Sequence, residues 1–176
     1  TITAAKATDV DVTTGATAQT ALDLITAAVT DLNVTAGGNL TLDTTAKIGT
    51  AEKITVNATG VVNLDSGADD HTAASTITLS GAGSKASVDL GAVGASDLAY
   101  ATSITASGLS AGLDIGAVDG GVESATLNVK GMAGTTTVGT ISATKTVTVE
   151  ADGAAKLVTT GSIGTTGNAV QTVVIN

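Results

Sequence analysis

Three carboxylates fall within six residues at Asp65-Ser66-Gly67-Ala68-Asp69-Asp70. Calcium is held by flexible arrays of carboxylate and backbone oxygens, and a glycine-containing corner supplies both. Asp114, with Asp119 and Glu123 close by in the chain, is a second candidate of the same kind, and Asp43, Asp89 with Asp97, and Asp152 are further ones. The expectation is a calcium ion (Ca2+) held by Asp65, Asp69 and Asp70, with Asp114 and Asp119 as additional ligands. The competing reading is that Asp and Gly form turns on a solvated corner. No EF-hand spacing is present, so the pattern alone does not choose between them.

Catalysis has less to work with. The chain has one histidine, His71, no cysteine, and no Gly-x-Ser-x-Gly elbow. A hydrolytic triad would need His71 as its base, and nothing singles out a nucleophile among the many Ser and Thr residues. His71 follows Asp69-Asp70 and precedes Thr72, which reads as a solvated loop histidine. Carbohydrate chemistry would need paired carboxylates together with basic and aromatic residues for the sugar, and aromatics make up 1% of the chain. The seven lysines, Lys6, Lys47, Lys53, Lys85, Lys130, Lys145 and Lys156, are scattered. The chain therefore reads as a non-enzyme.

The residues that could do chemistry sit on a repeat. Its clearest form is Lys53-Ile54-Thr55-Val56-Asn57-Ala58-Thr59-Gly60, alternating apolar and polar positions closed by a glycine turn. Taking Val10, Leu32, Ile54, Ile77, Ile104, Leu127, Val147 and Val173 as anchors, the gaps are 22, 22, 23, 27, 23, 20 and 26. A period in this range marks a solenoid whose rungs bury one face against the next. A second alternation follows at Leu40–Asp43, Val62–Asp65, Val88–Gly91 and Leu113–Gly116, and a weaker third at Lys47–Thr50, Ala92–Gly94, Ala117–Val118, Thr140–Ser142 and Ser162–Thr165. The expected fold is an all-β parallel β-solenoid, or β-helix, with rungs of about 20–27 residues and roughly three short strands per rung. Residues 1–7 read as an entry segment or the end of a preceding rung, and 8–176 as the repeat domain, part of a longer chain. Thr20–Val29 places Leu22, Ile25 and Val29 on one helical face, yet its threonines favour strand, and strand is expected there. The alternative architecture is an immunoglobulin-type sandwich, which would not repeat a three-part unit.

Composition narrows the function classes. With 16 acidic against 7 basic residues the net charge is -9, and arginine is absent, so the basic footprint of a nucleic-acid binder is missing. No apolar run reaches the ~18–20 residues that span a bilayer. With no Phe or Trp, the interior must be built from Val, Ile, Leu and Ala in thin layers, which suits a narrow solenoid. Three Asn-x-Thr sequons, at Asn33, Asn39 and Asn57, arise easily in a Thr-rich chain.

Rungs such as Ile54-Thr55-Val56-Asn57-Ala58-Thr59-Gly60, with low lysine, no cysteine and an acidic balance, resemble bacterial surface-layer (S-layer) proteins. The similar group is the one exported by type I systems, such as the Caulobacter and Campylobacter arrays. The resemblance spans Ala7–Asn176 and rests on composition and repeat style. It implies a secreted, calcium-dependent structural protein at the cell surface, self-assembling into an extracellular lattice and contacting outer-membrane polysaccharide. The Gly-Gly-x-Gly-x-Asp nonapeptide of that group is absent; the nearest stretch is Asp119-Gly120-Gly121-Val122-Glu123. The runner-up is the stalk or passenger solenoid of a bacterial adhesin.

Overall fold

The computed structural model describes residues 2–3, 6–17, 19–22, 24–25, 29–42, 50–64, 71, 73–94, 101–121, 123–152, 156–159, 161–164 and 172–175, and none of these is helical. They form a parallel β-solenoid. An 8-stranded sheet contains Asp9–Thr14, Asp31–Ala36, Lys53–Ala58, Thr76–Gly81, Thr102–Ser107, Ser124–Lys130, Thr146–Asp152 and Thr172–Ile175, each hydrogen-bonded to the next. A second sheet stacks Gln19–Leu22, Leu40–Leu42, Val61–Asn63, Ser87–Asp89, Gly112–Asp119, Thr135–Ser142 and Lys156–Thr159. Ile2–Thr3 pairs in parallel with Leu24–Ile25, so the entry segment does occupy the end position of a preceding rung. Thr20–Val29 contributes strands Gln19–Leu22 and Leu24–Ile25, as its threonines indicate.

Strand residues alternate because the side-chain period of a strand is two. In Lys53–Ala58 the inward Ile54, Val56 and Ala58 are fully buried, while Lys53 and Asn57 are exposed. Register then builds columns: Leu32 pairs Ile54, Ile54 pairs Ile77, Ile77 pairs Ile104 and Ile104 pairs Leu127. Each fully buried Ile, Leu or Val contributes about 1.5–3 kcal/mol, the energy that offsets chain ordering in a core with so few aromatics.

One register differs from the sequence expectation. Leu127 pairs with Val149, and Val147 pairs with Ala125. The true step is thus 22 residues where the anchors imply 20. Val147 and Val149 are both buried, so a slip of two keeps every side chain on its proper face and leaves no trace in the hydrophobic pattern. The steps that do lengthen, Ile77 to Ile104 and Val147 to Val173, place their extra residues outside the sheet.

The second and third elements of a rung belong to one hydrogen-bonded sheet. Ala92–Val93 and Ile163–Gly164 pair into it, and Gly112–Asp119 and Thr135–Ser142 run through both elements unbroken. The inward residues are Leu113 and Ile115, then Val118; in the next rung they are Thr136 and Val138, then Ile141. Each sequence skips one step of alternation at Gly116–Ala117 and Gly139–Thr140, which is where the wall turns. Glycine is required at that corner because successive rungs touch backbone to backbone. A Cβ on Gly139 would overlap the carbonyl oxygen of Gly116, and one on Gly116 would sit 3.0 Å from the carbonyl carbon of Gly91.

Backbone hydrogen bonding continues around the corner that leads into the long-strand sheet. The N–H groups of Thr30, Glu52, Ser75 and Ser103 donate to the carbonyls of Thr8, Thr30, Glu52 and Ser75 one rung below. Hydroxyls reinforce this edge: Thr30 Oγ1 donates to Thr8 O at 2.9 Å and Ser75 Oγ to Glu52 O at 3.1 Å. The polar groups of a sharply turning chain are paired without a helix or an antiparallel hairpin.

Candidate functional site

The expected calcium ligands separate into two groups. Asp65, Asp69 and Asp70 lie outside the described residues, as do Asp43 and Asp97. Asp114 and Asp119 are both placed, on the single strand Gly112–Asp119. They do not converge. Asp114 is exposed near the strand's start, whereas the Asp119 carboxylate accepts the Gly121 N–H at 2.9 Å and its backbone carbonyl accepts the buried Thr102 hydroxyl at 2.8 Å. Asp119 is therefore a turn former, the competing reading of these aspartates. Glu123 lies one rung from Lys145 and pairs with it, Nζ standing 2.6 Å from Oε1.

The structure joins Asp114 to a different partner. Asp89 and Asp114 are in direct register on adjacent strands, and the same outward row continues from Asn63 below to Thr137 above. Asn63 Nδ2 donates to Asp89 Oδ2 at 3.4 Å. An open groove of about 310 Å³ follows these two carboxylates, lined also by Ser87, Thr135 and Thr137, and the missing side chain of Gly112 deepens it. Two carboxylates fall short of the six to eight oxygens of a calcium shell. Among the described residues no group of three or more His, Cys, Asp or Glu side chains gathers where it could hold a metal ion. The described residues alone thus do not make a calcium site, and the part of that expectation carried by Asp65, Asp69 and Asp70 falls on residues not described.

His71 corrects the sequence reading. It is 1% exposed, and its backbone forms a parallel bridge with Val93, donating to Ala92 O at 2.9 Å and accepting from Gly94 N at 3.0 Å. It occupies the foot of the column that continues through Val93, Val118, Ile141 and Ile163. Counting one rung of 22 residues back from Val93 lands on His71; its polar neighbours in sequence hide this. A ring so enclosed does not line the Asp89–Asp114 groove.

The largest organised surface is the outward face of the long-strand sheet. Register places its side chains in three rows. The first runs Asp9, Asp31, Lys53, Thr76, Ser103, Thr126, Thr148. Beside it run Asp11, Asn33, Thr55, Thr78, Thr105, Asn128, Glu150, and then Thr13, Thr35, Asn57, Ser80, Ser107, Lys130, Asp152. Side-chain bonds link neighbouring rungs: Asn33 Nδ2 donates to Asp11 Oδ1 at 3.0 Å and Asn128 Nδ2 to Glu150 Oε2 at 2.8 Å. Lys53 Nζ stands 3.9 Å from Asp31 Oδ1. Charges lie toward the two ends of the face, and its centre is Thr, Ser and Asn. Sequence reasoning assigns these residues only an outward direction; their alignment into a uniform face follows from register. Among the described residues no helix is long and apolar enough to cross a membrane. No protein-family model, no curated protein and no solved structure matches the chain.

Proposed function

We propose that the chain is a structural repeat module of an extracellular assembly at the cell surface, a surface-layer lattice or filament that associates with copies of itself. The observation that carries this reading is the in-register stack: strands of near-constant length repeat on one sheet, and their outward residues form straight rows. Rungs that contact only their neighbours make a stiff rod whose surface repeats along its length, and a repeating surface suits a repeating partner. The net charge of -9 makes a divalent cation a plausible bridge between acidic rods. Calcium is therefore proposed as a stabiliser of the assembly, and polysaccharide of the outer membrane as its support.

Electron microscopy of the purified protein in calcium and then in chelator tests the reading. Ordered sheets or filaments in calcium that dissolve on chelation support it in full. Sheets that persist in chelator keep the assembly and remove the ion. Monodisperse rods under both conditions would refute self-assembly and favour the adhesin stalk, which displays a binding module and stays monomeric.

A further inference from the structure

Self-assembly requires a surface, and the rows on the long-strand sheet supply one. We propose that this face meets the same face of a second copy, across a twofold axis running parallel to the strands. The proposal rests on the self-association reading above and names the contact that reading needs.

Spacing, charge and area support it. A partner that touches every row at once must repeat at the inter-strand distance of about 4.8 Å, and a second copy does so by construction. The chain carries a net charge of -9, yet from Thr55 to Asn128 the outward positions of this face are uncharged, so two centres meet without repulsion. The other long wall is unsuited, because Asp89 and Asp114 stand side by side near its middle. Strands about 4.8 Å apart with about six residues each at ~3.3 Å give the 8-stranded face about 750 Å², or roughly 1,500 Å² for the pair. That lies within the ~1,200–2,000 Å² of a stable specific interface.

Charge also selects the orientation. An axis along the stack would set Asp11 on its own copy and Glu150 on its own copy, two like-charge contacts, and such juxtapositions are costly. An axis along the strands reverses strand order and keeps strand direction. Thr76–Gly81 then lies on Thr102–Ser107 of the other copy, Asn33 faces Glu150, Asn57 faces Lys130, and no two like charges are directly opposed. Thr78 faces Thr105 at the centre.

The chain has no cysteine, so engineered thiols report contacts without background. Thr78→Cys and Thr105→Cys proteins are mixed at a concentration where light scattering shows assembly, oxidised, and run on a non-reducing gel. The expected result is a disulfide-linked dimer joining the two variants, with at least a tenfold lower yield for Thr137→Cys on the other wall. In parallel, Thr105→Glu should disperse the assembly while circular dichroism stays unchanged, and Thr137→Glu should not disperse it. Assembly without the Thr78–Thr105 link, or with equal linking through Thr137→Cys, overturns the proposed face and leaves self-association standing. A monomer at every concentration overturns both.

Discussion

Two buried threonines with opposite hydrogen bonding predict opposite responses to one chemical change. Thr136 and Thr102 are both 0% exposed. Thr102 donates its hydroxyl to the Asp119 carbonyl at 2.8 Å, bridging the interior of the solenoid. Thr136 stands in a core column between Leu113 and Leu157, and its Oγ1 has no hydrogen-bond partner among the described residues. An unsatisfied buried hydroxyl costs about 1–3 kcal/mol, whereas a satisfied one contributes about 1 kcal/mol. Valine has nearly the shape of threonine, so neither substitution opens a cavity. Thr136→Val should therefore stabilise the protein by about 1–2 kcal/mol. Thr102→Val should destabilise it by about 1 kcal/mol or more, because a buried carbonyl loses its donor. For a chain of this size each kcal/mol moves Tm by about 2–4 °C, so the two variants should separate by at least about 4 °C. Thermal and urea unfolding followed by circular dichroism on both variants supplies the measurement. A Thr136→Val protein no more stable than the parent would refute the orphaned hydroxyl; a stabilised Thr102→Val would refute the whole ledger for this core.

Other substitutions test other parts of the stack. Gly139→Ala drives a methyl into the Gly116 carbonyl and should cost at least about 2 kcal/mol, read as a lower urea midpoint, with Gly15→Ala, where a Cβ meets nothing within 4 Å, as the tolerated control. His71→Asp puts a short charged side chain into the core column under Val93 and should lower Tm by more than 5 °C, while His71→Leu should leave the strand signal in circular dichroism intact. Equal behaviour of the two would place the side chain of residue 71 outside the core. Lys145→Gln breaks a surface ion pair with Glu123 and should change stability by less than about 1 kcal/mol, an effect that 1 M salt erases. A larger loss that persists in salt would mean the pair is an integral part of the corner.

The repeat, the parallel stacking and the inward columns were legible because alternation and glycine corners are local signals that recur every 22 or so residues. Register was less so. Strand alternation has period two, so a two-residue slip at Val147 is silent, and only the pairing of Leu127 with Val149 reveals it. The neighbour of Asp114 was visible in principle. Val88-Asp89-Leu90 and Leu113-Asp114-Ile115 are the same motif one rung apart, and equivalent positions in a solenoid stack, yet proximity along the chain pointed to Asp119 instead. His71 was misread for the same reason: its sequence neighbours are polar, while its rung neighbour is Val93. In this fold the residue one period away is a better guide to environment than the residue next door.

The direction of the inter-strand hydrogen bonds has a mechanical consequence. In parallel stacked rungs these bonds run along the solenoid axis, so tension applied along that axis loads the outermost rung first and peels it one bond at a time. A released rung of 22 residues, the step from Leu32 to Ile54, frees about 75 Å of chain at ~3.4 Å per residue. The rungs beneath keep their own neighbours. A single molecule stretched this way should lengthen in even steps near that size, dissipating work one rung at a time, a shock absorber built from the same period that builds the rod.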